Sequence, residues 1–428
     1  MGVEVDHGGN CTRWARTVVH NTGMPSRLDE LVAATPATRD RYVDFLRALS
    51  ILVVVVGHWL IGVIFWEDGV IGSTSAIGRT PWLWIATWFL QVMPIFFFVG
   101  GFSNLVTYRA FRRRGDSTWE FVRTRLARLL RPSLVFVGVW AVIQLGLHLF
   151  DVGEPTTPFL RGMRPPGATI PFGPLWFLAV YAGVLVLSPV MMRLHERFGL
   201  SVITVMLVGA VAADAIGFIT PFEEARWANV AFVWLLPHQL GFFYADGRIT
   251  RLSRGALGGV ALGGLAAMLL LSNPGFGDTG WAWFPGIGHY PKSLLGTDVE
   301  RITNTYPPTI MLVAMSFWSI GLALMVRGPL SRWLRRSRPW KATIFVNSVI
   351  MTLFLWHMTA FLLAILVLWP PGFGQQGDTT AGWWLERPLW VAVPAVFLAA
   401  LVAVFGRFER PPLRRRTEDD RERNDVRS

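Results

Sequence analysis

Residues 41–66 read RYVDFLRALSILVVVVGHWLIGVIFW, an apolar run that carries Asp44, Arg47 and His58. About 20 consecutive apolar residues cross the hydrocarbon of a bilayer, and ionisable groups inside such a run are rare, costly and tied to function. Arg47 and His58 are 11 residues apart. At about 100° per residue a helix returns them to one stripe, roughly three turns apart. Asp44 precedes Arg47 by one turn and is within reach of its guanidinium. An Asp44–Arg47 pair that anchors the helix end at the headgroups is an equally good reading of those two residues. His58 is different, because a rise of about 1.5 Å per residue puts it some 20 Å from the helix start, too deep for snorkelling. It is the residue expected to carry chemistry.

The rest of the chain has the same character. Of its 428 residues 52% are hydrophobic and 16% charged, with 21 Trp and 30 Phe, which excludes an ordinary soluble globule and predicts an all-α polytopic membrane protein. Ten apolar segments are expected, at 43–66, 82–106, 132–150, 175–192, 200–219, 228–245, 256–272, 308–326, 345–369 and 388–406. If the N-terminus is cytoplasmic, 32 of the 40 Lys and Arg fall in cytoplasmic segments and seven in outer loops. That is the positive-inside pattern, so both termini are expected inside. It also accounts for the net charge of +12 without nucleic acid. The expected organisation is a polar, disordered cytoplasmic tail over 1–40, a membrane domain over 41–406 and a charged cytoplasmic tail over 407–428. Met24 is an alternative start. A single cysteine, Cys11, excludes an internal disulfide and a cysteine-based metal centre, and no metal site is expected.

Two further stretches carry information. After the second span, TYRAFRRRGDSTWEFVRTRLARLLRPSL holds eight Arg. Arg125 and Arg128, at i and i+3, are expected on a short helix that ends near Pro132 and faces the membrane mouth. Two guanidiniums on one face suit a phosphate, and an anionic lipid headgroup would satisfy them as well. In the ninth segment, NSVIMTLFLWHMTAF carries Ser348 and His357, the second histidine inside an apolar span. His357 either faces the same cavity as His58 or is satisfied by a neighbouring helix. His238 and His148 have weaker cases. The outer loops Asp151 to Pro174 and Asn273 to Pro307, the latter with GWAWFPGIGHYPK, are long and rich in Gly, Pro and aromatics. Loops of that kind are often functional, although Trp and Tyr also populate membrane interfaces.

No GxxxxGK[ST], HExxH, GxSxG or dinucleotide fingerprint occurs, which disfavours an ATP-driven pump, a zinc protease and a serine hydrolase.

In order along the chain, Asp44-x-x-Arg47 followed by His58, FFFVGGF at Phe96 to Phe102, Arg125-Leu-Ala-Arg128 before Pro132, PLWFL at Pro174 to Leu178, and Ser348 with His357 resemble the membrane-bound acyltransferase family 3. The resemblance covers Arg39 to Arg407. Gly100 stands where the family usually has Ser. The resemblance implies a multi-pass protein of the inner (plasma) membrane. It implies transfer of an acyl group, acetyl or another short acyl, from cytoplasmic acyl-CoA to a hydroxyl of an envelope glycan, a glycolipid or a secreted metabolite. Acyl-CoA, with acetyl-CoA the expected donor, is then a co-substrate and no bound cofactor is implied. His58 would act as general base or as acyl-carrying nucleophile, with Arg47 and Asp44 in the catalytic set and Arg125 and Arg128 on the donor phosphates. Trp176, Ser348 and His357 would line the substrate cavity. The competing reading is a secondary transporter or flippase, in which buried Asp, Arg and His relay protons or bind cargo.

Overall fold

The computed structural model describes residues 32, 35–36, 39–67, 70–149, 167–274, 290–296 and 302–409. Most of the 1–40 tail with Cys11 and Met24, much of the two long loops, and all but the start of the 407–428 tail lie outside the described residues.

The first helix, α1, spans Arg41–Ile61. The Asp40 carboxylate caps it, accepting from the backbone N–H groups of Tyr42 and Val43 at 3.0 and 3.2 Å. The expected span to residue 66 is too long. Gly62 turns the chain into extended backbone, and Gly62–Glu67 (β1) pairs antiparallel with Val70–Ser75 (β2), Gly62 opposite Ser75. The β-branched and aromatic run after Gly62 suits a strand as well as a helix. A side chain at Gly62 would also run into Phe361, with a Cβ only 2.9 Å from its ring. His58 therefore sits in the last turn of α1, near its end, with the hairpin above it.

The second span is broken. Trp84–Leu90 (α2) ends at Gln91, and Met93–Arg113 (α3) starts again with Pro94 in its first turn. Thr118–Leu149 forms one 32-residue helix, α4. This corrects the expectation of a short helix ending at Pro132. Proline removes one N–H, and membrane helices tolerate it because neighbouring groups satisfy the freed carbonyls.

The remaining helices are α5 (Leu175–Phe198), α6 (Ser201–Ile219), α7 (Asn229–Ala245), α8 (Arg254–Ser272) and α9 (Ile310–Met325). They are followed by α10 (Arg327–Trp333), α11 (Ser337–Ser348), α12 (Ile350–Leu368), α13 (Ala381–Leu385) and α14 (Arg387–Glu409). Among the described residues eight helical stretches are long and apolar enough to cross a membrane, and the 51° bent pair α9–α10 makes a ninth. The sixth expected segment is α7, with 17 residues shorter than a full span.

Close crossings hold the bundle together where the side chains vanish. A Cβ on Gly101 would overlap the carbonyl of His238, and one on Gly241 the carbonyl of Phe98, so α3 and α7 pack backbone to backbone. Near this crossing, Phe97 stacks on Trp234 at 5.0 Å. The ninth expected segment, 345–369, is interrupted at Val349, which separates α11 from α12. Glu409 closes the gap, accepting from the N–H groups of Met351 and Thr352 at 3.0 Å each.

Candidate active site

α1 and α12 meet near the hairpin end of the bundle. His58 Nδ1 lies 3.0 Å from His357 Nε2, with the ring planes within 23° of each other. His357 is fully buried, and its Nδ1 lies 2.6 Å from the carbonyl oxygen of Phe354. A carbonyl only accepts, so His357 Nδ1 carries the proton and donates. In the neutral ring Nε2 then accepts, and His58 Nδ1–H is its donor. The relay leaves the lone pair of His58 on Nε2. One turn beyond each histidine, Gly62 admits the ring of Phe361, which brings the helices close enough for this contact. Trp59 Nε1 donates to the carbonyl of His357 at 3.0 Å and pins the same turn.

His58 borders a cavity of about 1020 Å³. Its floor is formed by α1 around Ile51 and Val54, its walls by Phe96, Phe177 and Phe354, and its top by the hairpin with Thr303, Thr305 and Tyr306. Trp176 lines it. Ser348 does not. It ends α11, is half-buried, donates to the carbonyl of Phe345 at 2.7 Å and is not among the residues that line the cavity, so the expectation of a cavity-lining Ser348 inside the span is corrected. The break at Val349 puts it on the far side of the helix start, nine residues from His357.

Arg47 shares the stripe of His58 but faces a different neighbour, donating through Nη2 to Ser103 Oγ on α3. Asp44, 6% exposed, lies 3.8 Å from the other guanidinium nitrogen. Arg125 turns into the bundle, where Nε and Nη2 both donate to Asn104 Oδ1 at 3.2 and 2.6 Å. The Asn104 amide then donates through Nδ2 to His238 Nε2 at 3.1 Å. Arg47, Arg128 and the hydroxyl of Tyr181 all interact electrostatically with Arg125. Arg128 itself is exposed. Among the described residues neither Arg125 nor Arg128 is paired with a carboxylate, so the cluster carries uncompensated positive charge. By helical rise Arg47 lies about 16 Å from His58 along α1.

An aromatic layer separates the two regions. Phe96, Phe177 and Tyr181 pack edge to face or stacked within 6.2 Å, and the phenol sits where a side chain on Gly100 would go. Arg47 and Arg125 are not among the residues that line the cavity. Sequence reading passed over Ser103, Asn104 and Tyr181. The signal for the first two was present as adjacent polar residues directly after FFFVGGF, whereas nothing local marks Tyr181.

A family model described as an acyltransferase domain matches residues 40–406. Neither a curated protein nor a solved structure matches the chain.

Proposed function

The chain belongs to the membrane-bound acyltransferase family 3, and from that premise we propose that it moves an acyl group from acyl-CoA to an alcohol, with His58 as the base. The observation that carries this reading is His58 at the wall of the cavity with its Nδ1 bonded to His357, which leaves Nε2 as the ring nitrogen to take a proton. The arginine-rich end is taken as cytoplasmic on the positive-inside pattern. Arg125, Arg128 and Arg47 would hold the phosphates of the donor there. The acyl-bearing arm would run along α1 toward His58, displacing the Phe96–Phe177–Tyr181 layer. The span of about 16 Å is of the order such an arm reaches.

The alcohol enters from the hairpin end. Its hydroxyl proton passes to His58 Nε2 as the oxygen attacks the thioester carbonyl carbon. The tetrahedral intermediate collapses with cleavage of the carbon–sulfur bond. The proton on Nε2 leaves with the thiolate, and the ester and free CoA are the products. His357 accepts the Nδ1–H of His58 throughout, which keeps the ring in the tautomer and orientation the step needs. The acceptor is proposed to be a glycan, glycolipid or secreted metabolite of the cell envelope, acylated at the inner membrane.

The test is acyl transfer by purified, lipid-reconstituted protein supplied with radiolabelled acetyl-CoA and envelope extract. His58→Ala should lower transfer about 10²- to 10⁴-fold while leaving the folded protein intact. Wild-type transfer by that variant would overturn the assignment.

A further inference from the structure

We propose that the cavity beside His58 takes an amphiphilic alcohol, a hydroxylated head on an apolar chain, and that the side-chain amide of Gln91 holds an oxygen of that head. The inference rests on the acyltransferase reading and specifies its acceptor. Gln91 occupies the break between α2 and α3, where its backbone is extended and its N–H still donates to the carbonyl of Thr87 at 3.1 Å. It is 5% exposed and lines the cavity. Its Oε1 accepts from the N–H of Met93 at 3.4 Å. Its Nε2 has no hydrogen-bond partner. A buried amide donor left unmade costs free energy, and cavities that bind specifically place such donors where a ligand oxygen completes them.

The walls indicate the rest of the ligand. Ile51, Val54, Phe96, Phe177, Phe354 and Met358 present only apolar surface, while Ser73, Ser75, Thr303 and Thr305 cluster toward the hairpin and loop. A volume of about 1020 Å³ is at the upper end of small-molecule sites, far more than an acetyl group and a single alcohol fill. A bare sugar would bury hydroxyls unpaired against the aromatic wall. A polar head with an apolar tail satisfies both halves.

The experiment uses octyl glucoside as probe and the full chain in lipid nanodiscs, with empty nanodiscs subtracted. A photoreactive alkyl glucoside with a diazirine in its chain is crosslinked, labelled peptides are mapped, and unlabelled octyl glucoside or glucose is added as competitor. Labels are expected on the peptides containing Phe96, Phe177 or Phe354, competed by octyl glucoside and not by glucose. Gln91→Met should weaken octyl glucoside competition about tenfold. Gln91→Asn, which keeps an amide, should recover part of it. Equal competition by glucose, labelling elsewhere, or unchanged competition in Gln91→Met each overturns the inference. So does a loss in Gln91→Met that tracks a fall in thermal midpoint with no recovery in Gln91→Asn, since the residue is then structural. No acyl donor is present in this assay. Failure of the parent protein to consume acetyl-CoA with any alcohol would instead count against the acyltransferase reading.

Discussion

His58 and His357, 299 positions apart in the chain, share one hydrogen bond of 3.0 Å, and the carbonyl of Phe354 dictates its direction. Because His357 must give its Nδ1 proton to that carbonyl, it can only accept from His58, and His58 is left with Nε2 as a base. In the proposed reaction His357 is therefore a positioning residue for His58.

His357→Phe keeps an aromatic ring between the helices and deletes the acceptor. It should lower kcat about 10- to 100-fold with little change in KM for the alcohol, since the imidazole loses its orientation and not its neighbours. Steady-state transfer kinetics check this. An unchanged kcat would show that the ring of His58 needs no partner.

Arg125→Ala should raise KM for acetyl-CoA about tenfold and leave kcat within a factor of a few. The same variant should behave like the parent with acetyl-pantetheine, a donor without nucleotide phosphates. An equal loss with both donors would assign Arg125 to the Asn104–His238 network alone.

Asp40 caps α1, accepts from the hydroxyl of Tyr244 at 2.8 Å and lies 3.9 Å from Arg327. Asp40→Ala removes all three contacts and should destabilise the fold by about 1–2 kcal/mol. A thermal midpoint in detergent that matches the parent would contradict this.

Asp246, just past the end of α7, sits 2.8 Å from His195 Nε2 and 2.6 Å from Arg109. Burial pushes its carboxyl up, but the bonds from His195 and Arg109 outweigh this and hold it below the usual value. A carboxyl lowered in the folded state adds stability in full above the unfolded value of about 4, and that stability is lost as pH falls through the folded value. The thermal midpoint of the parent should fall below about pH 4. Asp246→Asn should have a lower midpoint at pH 7 and a flatter acid limb, as read by a thermal melt at each pH.

Gly101→Val should prevent α3 and α7 from closing, with loss of folded protein on gel filtration, because the added side chain would overlap the His238 carbonyl. A folded variant would mean that the crossing can open.

The class of the fold was readable residue by residue. Each apolar segment announces a span by its own length, and the expected ten correspond in position to the described helices, with the sixth short and the eighth bent. Local signals were weaker at the breaks. Val63 to Trp66 are apolar enough for a helix and β-branched enough for a strand, and tertiary contacts favour the hairpin: Phe361 packs against Gly62, Arg387 donates to the Gly62 carbonyl at 3.2 Å, and Val63 is buried with Ala76, Ile77 and Trp383. Pro132 looked like a helix end because a proline lacks one N–H, yet in a bundle its neighbours absorb that loss. Ser348 looked intramembrane because the hydrophobic run conceals the kink at Val349.

The sequence by itself determined that this is a helical membrane protein, that Arg47 and His58 share a stripe, and that arginine gathers at one end. All of these follow from periods and lengths that a segment carries within itself. Only the tertiary structure decided that His357 and not Ser348 meets His58, that Arg125 points at Asn104, and that Gln91 lines the same cavity as His58. Those contacts join side chains from separate helices, which no single segment encodes, and the 299-residue reach from His58 to His357 depends on the missing side chain at Gly62, which lets Phe361 and α12 approach α1.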